Sequence, residues 1–201
     1  ADEGNFTALV SNDIAAPEFL EPVSGSTKLA GVAFAPQASF SNWGTAAQTN
    51  IAVRYRVVGP SPSGTEVYNN VQTIASLSAG ATTTVTFTST SFSAGTYTSY
   101  AASELPGDQA PANDQITGTF EVLAPLCGTY QVGTGQPAPF NTLTGAVARL
   151  NSLGVSCAVV FELTSASYTT PAETFPIVIN AIAGASATNT ITIRPAAGQP
   201  T

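Results

Sequence analysis

The 201 residues include no histidine, so the usual general base, triad member and proton shuttle are all missing. One lysine, Lys28, leaves little scope for Schiff-base or Ser-Lys chemistry. Gly184-Ala185-Ser186-Ala187-Thr188 lacks the last glycine of a nucleophile elbow. Gly133-Thr134-Gly135-Gln136-Pro137-Ala138 has the outline of a dinucleotide fingerprint. However, Pro137 and Pro139 remove amide donors that should face a pyrophosphate, and no parallel βαβ unit is expected to follow. A plain connecting turn is the expectation there.

Carboxylates are the remaining route to catalysis, because a glycosidase needs only two of them, about 5 to 9 Å apart across a cleft. Glu18 and Glu21 flank a proline-bounded segment, and Asp108 and Asp114 share a loop with Asn113. Turn formation by Asx side chains accounts for that loop. The alternative is a Ca²⁺ site through Asp108, Asn113 and Asp114, although the dense alternating ligand spacing of a strong site is absent. Trp43 is the only tryptophan, and it falls in a turn, where a large ring is not easily explained by a core. It is a candidate contact for a glycan or a protein partner. Against this stands a ring folded over the sandwich end or onto a neighbouring domain. Tyr55, Tyr97, Tyr100 and Tyr130 lie in predicted strands and are expected in the core or in cross-strand pairs. Asn5-Phe6-Thr7 is a formal glycosylation sequon.

Cys127 and Cys157 lack the paired spacing of a zinc or redox motif, and no histidine could complete a metal shell, so no metal or cofactor is expected. A disulfide is the economical reading, and two buried free thiols are the alternative. The net charge of −7 leaves no basic stripe for a phosphate backbone, so nucleic acid is not an expected partner. No apolar run approaches the roughly 20 residues of a membrane helix, and Ala1-Asp2-Glu3-Gly4 shows no signal-peptide pattern. Charged residues make up only 8% against 43% hydrophobic, which predicts a folded chain with an uncharged polar surface.

These residues must be positioned by strands. From Asp13 onward, short alternating runs are separated by Gly, Pro, Asn and Ser clusters, as in a β-sandwich. In Ile51 to Val57 the odd positions are apolar, and Arg54 and Arg56 share the opposite, solvent-facing side. Thr82 to Thr88 carries Val85 and Phe87, and Ile116, Gly118, Phe120 and Val122 alternate with polar residues. Turns are expected at Asn42-Trp43-Gly44, Gly59 to Gly64, Ser78-Ala79-Gly80 and Leu105 to Asp108. The spacing changes at Leu123 to Leu126. One helix follows within Phe140 to Gly154, with Leu143, Ala146, Val147 and Leu150 on one face, Asn141 or Thr142 as N-cap and Gly154 at the C-terminal end. Three alternating runs come after it, and Phe161, Ile177 and Ile193 recur sixteen positions apart, which predicts strands stacked as in a solenoid.

The stretch Val32 to Val122 resembles the CARDB-type Ig-like modules of large secreted and surface proteins. The residues that carry the resemblance are Phe40-Ser41-Asn42-Trp43-Gly44-Thr45, Leu77-Ser78-Ala79-Gly80, Gly95-Thr96-Tyr97 and Gly107 to Asp114. Gly128-Thr129-Tyr130, Phe140 to Leu143, Leu150 to Val155 and Glu173 to Pro195 resemble the opening of right-handed parallel β-helix regions from Bacteroidetes-like bacteria, in which a helix caps the first coils. The resemblance implies an all-β chain in three parts: an extended segment (1–12), an Ig-like β-sandwich (13–124), and a capping helix with the first β-helix-like strands (125–201). It leads to Ser at position 127 and to Gly or Ser at 157. The paired cysteines found there support a bridge and an oxidising, extracellular or cell-surface setting.

The expected function is that of a non-catalytic structural or adhesive module of a secreted or surface protein, such as a subunit of an extracellular fibre. Its expected partners are other copies of itself or other domains of a larger surface protein, and glycans, with no membrane insertion. Ile177, Ile179, Ile191 and Ile193 are the expected assembly edge, covered by another chain through strand addition from a segment such as Ala1 to Ile14. The alternatives are a carbohydrate-binding module using Trp43, or the first part of a β-helix polysaccharide-degrading enzyme whose catalytic residues lie on further coils.

Overall fold

In the computed structural model, residues 10–199 are described. The sequon at Asn5 and most of the Ala1 to Ile14 segment lie outside that range. The chain divides into two compact units, one ending at Leu123 and the other starting at Ala124.

The first unit is an all-β, Ig-like sandwich. Its strands, in chain order, are β1 (Ile14–Glu21), β2 (Thr27–Leu29), β3 (Gln37–Asn42), β4 (Gln48–Val58), β5 (Glu66–Leu77), β6 (Thr82–Thr86), β7 (Gly95–Ser103) and β8 (Gln115–Leu123). Three of them form a sheet in the order β1-β3-β6, and five form a second sheet in the order β2-β8-β7-β4-β5. All pairings are antiparallel except β2 with β8. The period-two pattern sets which face is buried. Ile51, Val53, Tyr55 and Val57 on β4 are at most 1% exposed, while Arg54 and Arg56 point outward. On β8, Gly118, Phe120 and Val122 face inward.

Aromatic rings fill the space between the sheets. Tyr55 meets Phe19 edge-on at 5.7 Å and Phe87 at 5.3 Å, and Phe92, Tyr97 and Phe120 pack within 5.1–5.6 Å of one another. Gly118 is required by this packing, because a β carbon there would lie 2.9 Å from the Phe19 ring and 2.8 Å from Ser24 Oγ.

The second unit contains β9 (Leu126–Val132), α1 (Leu143–Leu153), β10 (Val155–Leu163) and β11 (Ile191–Pro195). The helix lies where its periodicity predicts it. Thr142 is the N-cap, its side chain accepting from the Gly145 amide, and Gly154 closes the helix at φ 67° with its N–H bonded to the Leu150 carbonyl. Ala146, Val147, Leu150 and Leu153 are buried. The three strands are parallel in the order β11-β10-β9, so β9-α1-β10 is a parallel βαβ unit, contrary to the expectation that none follows the Gly133 turn.

Tyr130 faces Phe161 and Phe161 faces Ile193, so one strand stacks on the next every 31 or 32 positions rather than every sixteen. Ile177 falls half a circuit away, where residues 175–180 form no strand, so Phe175, Ile177 and Ile179 do not join the stack. The circuit from β9 to β10 passes through α1, and the circuit from β10 to β11, which holds no helix, takes a similar length of chain. The segment at 175–180 instead runs beside α1, with Asn151 Nδ2 donating to the Val178 carbonyl and the Asn180 amide donating to Asn151 Oδ1. The assembly edge is thereby corrected: Ile191 and Ile193 lie on an edge strand, and Ile177 and Ile179 do not.

Cys127 and Cys157 form a disulfide between neighbouring parallel strands, where the β9-β10 register slips between Val155 and Val159. Replacing both cysteines by serine is expected to lower the stability of the second unit by about 3 kcal/mol. Amide hydrogen exchange would show faster exchange along β10, while fluorescence of Trp43, in the sandwich, stays unchanged.

Candidate functional site

Three segments of the sandwich are knitted together around Trp43. The amides of Trp43 and Gly44 donate to the Asp13 carbonyl at 2.9 and 3.2 Å, and the amides of Thr45 and Ala46 reach the carbonyls of Val10 and Ser11. Asn42, fully buried, holds the turn from beneath. Its Nδ2 donates to the carbonyls of Ala46 and Leu77, and its Oδ1 accepts from the Gly44 amide. The backbone of the turn is therefore fixed while the Trp43 ring stays 55% exposed, so the ring does not fold over the sandwich.

The loop after β7 is bound to the same segments. Asp108 Oδ2 accepts from the Ile14 amide at 2.7 Å and Oδ1 accepts from the Ala110 amide at 2.8 Å. Gln109 Oε1 accepts from the amides of Ser11 and Asn12, and Asn113 Nδ2 donates to Asp13 Oδ1 at 2.9 Å. Asp108, Asn113 and Asp114 thus come together, with Asp13 as a fourth member that sequence reasoning missed; nothing in its position before β1 signalled it. Of the calcium candidates, Asp108 is engaged by two backbone amides and Asn113 donates to Asp13, while Asn113 Oδ1 and Asp114 Oδ1 are buried without a hydrogen-bond partner. Burial, with Asp108 and Asp13 nearby, pushes the Asp114 carboxyl up to about 6.

In the second unit, the first amides of α1 are occupied from within. The carboxylate of Glu173, 3% exposed, accepts from the amides of Leu143 and Thr144 at 2.8 and 2.7 Å and from Thr144 Oγ1 at 2.5 Å. This carboxylate takes the place a pyrophosphate would need, so the Gly133 turn is a connection and not a nucleotide site. Burial alone would raise the Glu173 carboxyl, but the three hydrogen bonds outweigh it and hold it below the usual range. Sequence reasoning missed Glu173 because its helix lies one circuit earlier in the chain.

Beyond α1 the apolar side chains are uncovered: Phe175 is 56% exposed, Val178 55%, Ile179 46% and Ile193 38%. Glu162 on β10 ties the strand ladder together, accepting from Gln131 Nε2 and Arg194 Nη2 at 2.6 Å each.

The sequence matches no family profile and no curated protein. Among solved structures, it is similar to the CARDB domain of a Pyrococcus furiosus protein in complex with di-metal ions, at 16% identity and a TM-score of 0.45, covering 61% of this chain and 98% of that one. It is also similar to a domain of a candidate cell surface protein from Methanosarcina acetivorans, at 21% identity and a TM-score of 0.43, covering 57% and 94%. A Paenibacillus cycloisomaltooligosaccharide glucanotransferase complexed with cycloisomaltoheptaose matches at 17% identity and a TM-score of 0.41, over 76% of this chain but 20% of the enzyme. These likenesses carry no argument about function and lend no support to the β-helix resemblance of the second unit. The sandwich rests on its own two sheets.

Asp114 and Glu173 shape the pH dependence in opposite directions. The folded state binds Asp114's proton more tightly than the unfolded chain does, so this group's contribution falls as pH rises from 3.8 through about 6. Asp114→Asn is expected to raise the melting temperature at pH 7 and to change it little at pH 4. Glu173 contributes fully above its ordinary value of 4.5, and the contribution is lost as pH falls through its lowered folded value. Glu173→Ala is expected to cost about 1–3 kcal/mol at pH 7, measured by denaturant unfolding followed by far-UV circular dichroism.

Proposed function

We propose that the chain is a non-catalytic structural module of a secreted or cell-surface protein, and that its second unit assembles by covering the open end of its parallel stack with another copy. The observation that carries this reading is the uncovered apolar end itself. Ile191 and Ile193 stand in register over Val159 and Phe161, and β11 is an edge strand with Ile193 still 38% exposed. Such a strand is a template for a further parallel partner. The disulfide supports an oxidising compartment, and no described helix is long and apolar enough to cross a membrane. Adhesion and fibre formation extend this reading.

A second reading, a carbohydrate-binding module, is favoured by the 55% exposure of Trp43 on a turn whose backbone is held by hydrogen bonds. Light scattering and negative-stain electron microscopy separate the two. Concentration-dependent oligomers or filaments that Ile193→Glu abolishes are expected. A chain that stays strictly monomeric at high concentration removes the self-assembly reading.

A further inference from the structure

The outer face of the five-stranded sheet carries a continuous line of paired polar side chains that takes no part in packing the sandwich. Arg54 donates from Nε and Nη2 to the two carboxylate oxygens of Glu104, at 2.5 and 3.3 Å, and from Nη1 to Asn69 Oδ1 at 2.8 Å. Asn69 Nδ2 donates to Glu66 Oε1 at 2.9 Å, and Arg56 Nη1 donates to Glu66 Oε2 at 3.4 Å. The Arg56 guanidinium lies over the Tyr100 ring, 5.0 Å from its centroid. The line runs from β5 across β4 and just past the end of β7, and with Gln115 of β8 it borders a cleft of about 300 Å³, the lower end of the size range of ligand pockets, roughly 300 to 1,000 Å³.

Exposed ion pairs add little to stability, so holding up the sheet does not account for this arrangement. The chain has five cationic residues, and two of them meet here, with uncharged neighbours across the strands: Val71 and Ala102 opposite Arg54 and Tyr100 opposite Arg56. Each charged side chain is held in place by a neighbour, so the groups are preorganised and lose little freedom when a ligand arrives. They also retain capacity. A guanidinium has five N–H donors, of which Arg56 gives one to a long contact, and a carboxylate accepts more bonds than Glu66 and Glu104 receive from these partners.

The chemistry of the ligand follows from the charges. Two arginines and two glutamates cancel, and the whole chain carries −7, so a polyanion gains nothing from the field here. A cation meets carboxylates already paired with guanidinium. A vicinal diol fits both halves: each hydroxyl can accept from an arginine N–H and donate to a neighbouring carboxylate.

We propose that the cleft between Glu66 and Glu104, bordered by Arg54, Arg56 and Gln115, binds a neutral glycan chain through its hydroxyl groups. The site belongs to the sandwich and does not depend on assembly through the second unit, so either can fail without the other. The test is titration of the full chain with neutral oligosaccharides (cellohexaose, maltoheptaose, mannohexaose and chitohexaose), with heparin as a polyanionic control, followed by amide NMR shifts and calorimetry. Saturable binding of at least one neutral oligosaccharide is expected, with shifts on β4, β5 and β7. Arg54→Ala and Glu66→Gln should weaken it about tenfold or more, while Trp43→Ala leaves it unchanged. The Glu66→Gln variant keeps the shape of the side chain, and an unchanged melting temperature shows that its loss of binding is not unfolding. The proposal is overturned by no saturable binding to any neutral oligosaccharide at millimolar concentration, by binding confined to heparin, or by binding that Trp43→Ala removes and Arg54→Ala does not.

Discussion

The ring of Tyr55 ties the sandwich together. It leaves β4 of the five-stranded sheet, meets Phe19 of the opposite sheet edge-on, and lies against Phe87 just beyond β6, with no surface left in water. An apolar sheet face must meet another apolar surface, and aromatic rings satisfy this with large area and few rotatable bonds. The cost is visible on the same residue. Its hydroxyl is buried without a hydrogen-bond partner, and burial pushes the phenol up to about 12 despite the Ser99 hydroxyl nearby. Ser99 Oγ is likewise buried without a partner, and the rings around Tyr55, from Phe19 to Phe120, pack without charge.

The second unit meets the same requirement only in part. One side of the β10 sheet face is covered: Val159 and Phe161 are fully buried, with Phe140 stacked on Tyr130 at 4.7 Å and both rings meeting Phe161. One circuit later the equivalent positions are Ile191, partly exposed, and Ile193, 38% exposed. The parallel ladder, the Glu162 network and the disulfide hold the circuits in register. They do not shield the last one. A stack of this kind is stable in its interior and leaves an unpaired strand edge at the last described strand.

In the sandwich, polar chemistry is divided between a buried framework and an open surface. Asn42 and Asp108 are bonded to backbone groups, and Asp13 accepts from the Asn113 side chain through its carboxylate and from Trp43 and Gly44 through its carbonyl, so these residues shape the Trp43 turn. Arg54, Arg56, Glu66 and Glu104 stand partly exposed on the outer sheet face, where their partners fix them without using all their donors and acceptors. Both arrangements depend on which side of a strand a residue occupies, since period two assigns alternate residues to core and solvent.

That alternation was legible from the sequence alone. It placed Ile51, Val53, Tyr55 and Val57 inside and Arg54 and Arg56 outside, and the 3.6-residue pattern with Thr142 and Gly154 marked the helix, because these are properties of neighbours in the chain. Apart from the bridge between the two cysteines, Cys127 and Cys157, pairings between distant residues were not legible. The sixteen-residue recurrence of Phe161, Ile177 and Ile193 suggested a stacking that the circuit from β10 to β11 does not make, because residues 175–180 run beside α1 and form no strand. Glu173 met its helix terminus only after a full turn of chain, and Asp13 joined Asp108 and Asp114 across about a hundred positions. The sequence by itself determined which faces of the sandwich strands and of α1 are apolar and where the helix starts and stops. The tertiary structure alone decided which faces meet, which carboxylates are spent on the backbone, and which strand is left at an edge, because those depend on the path of the chain between elements and not on the elements themselves.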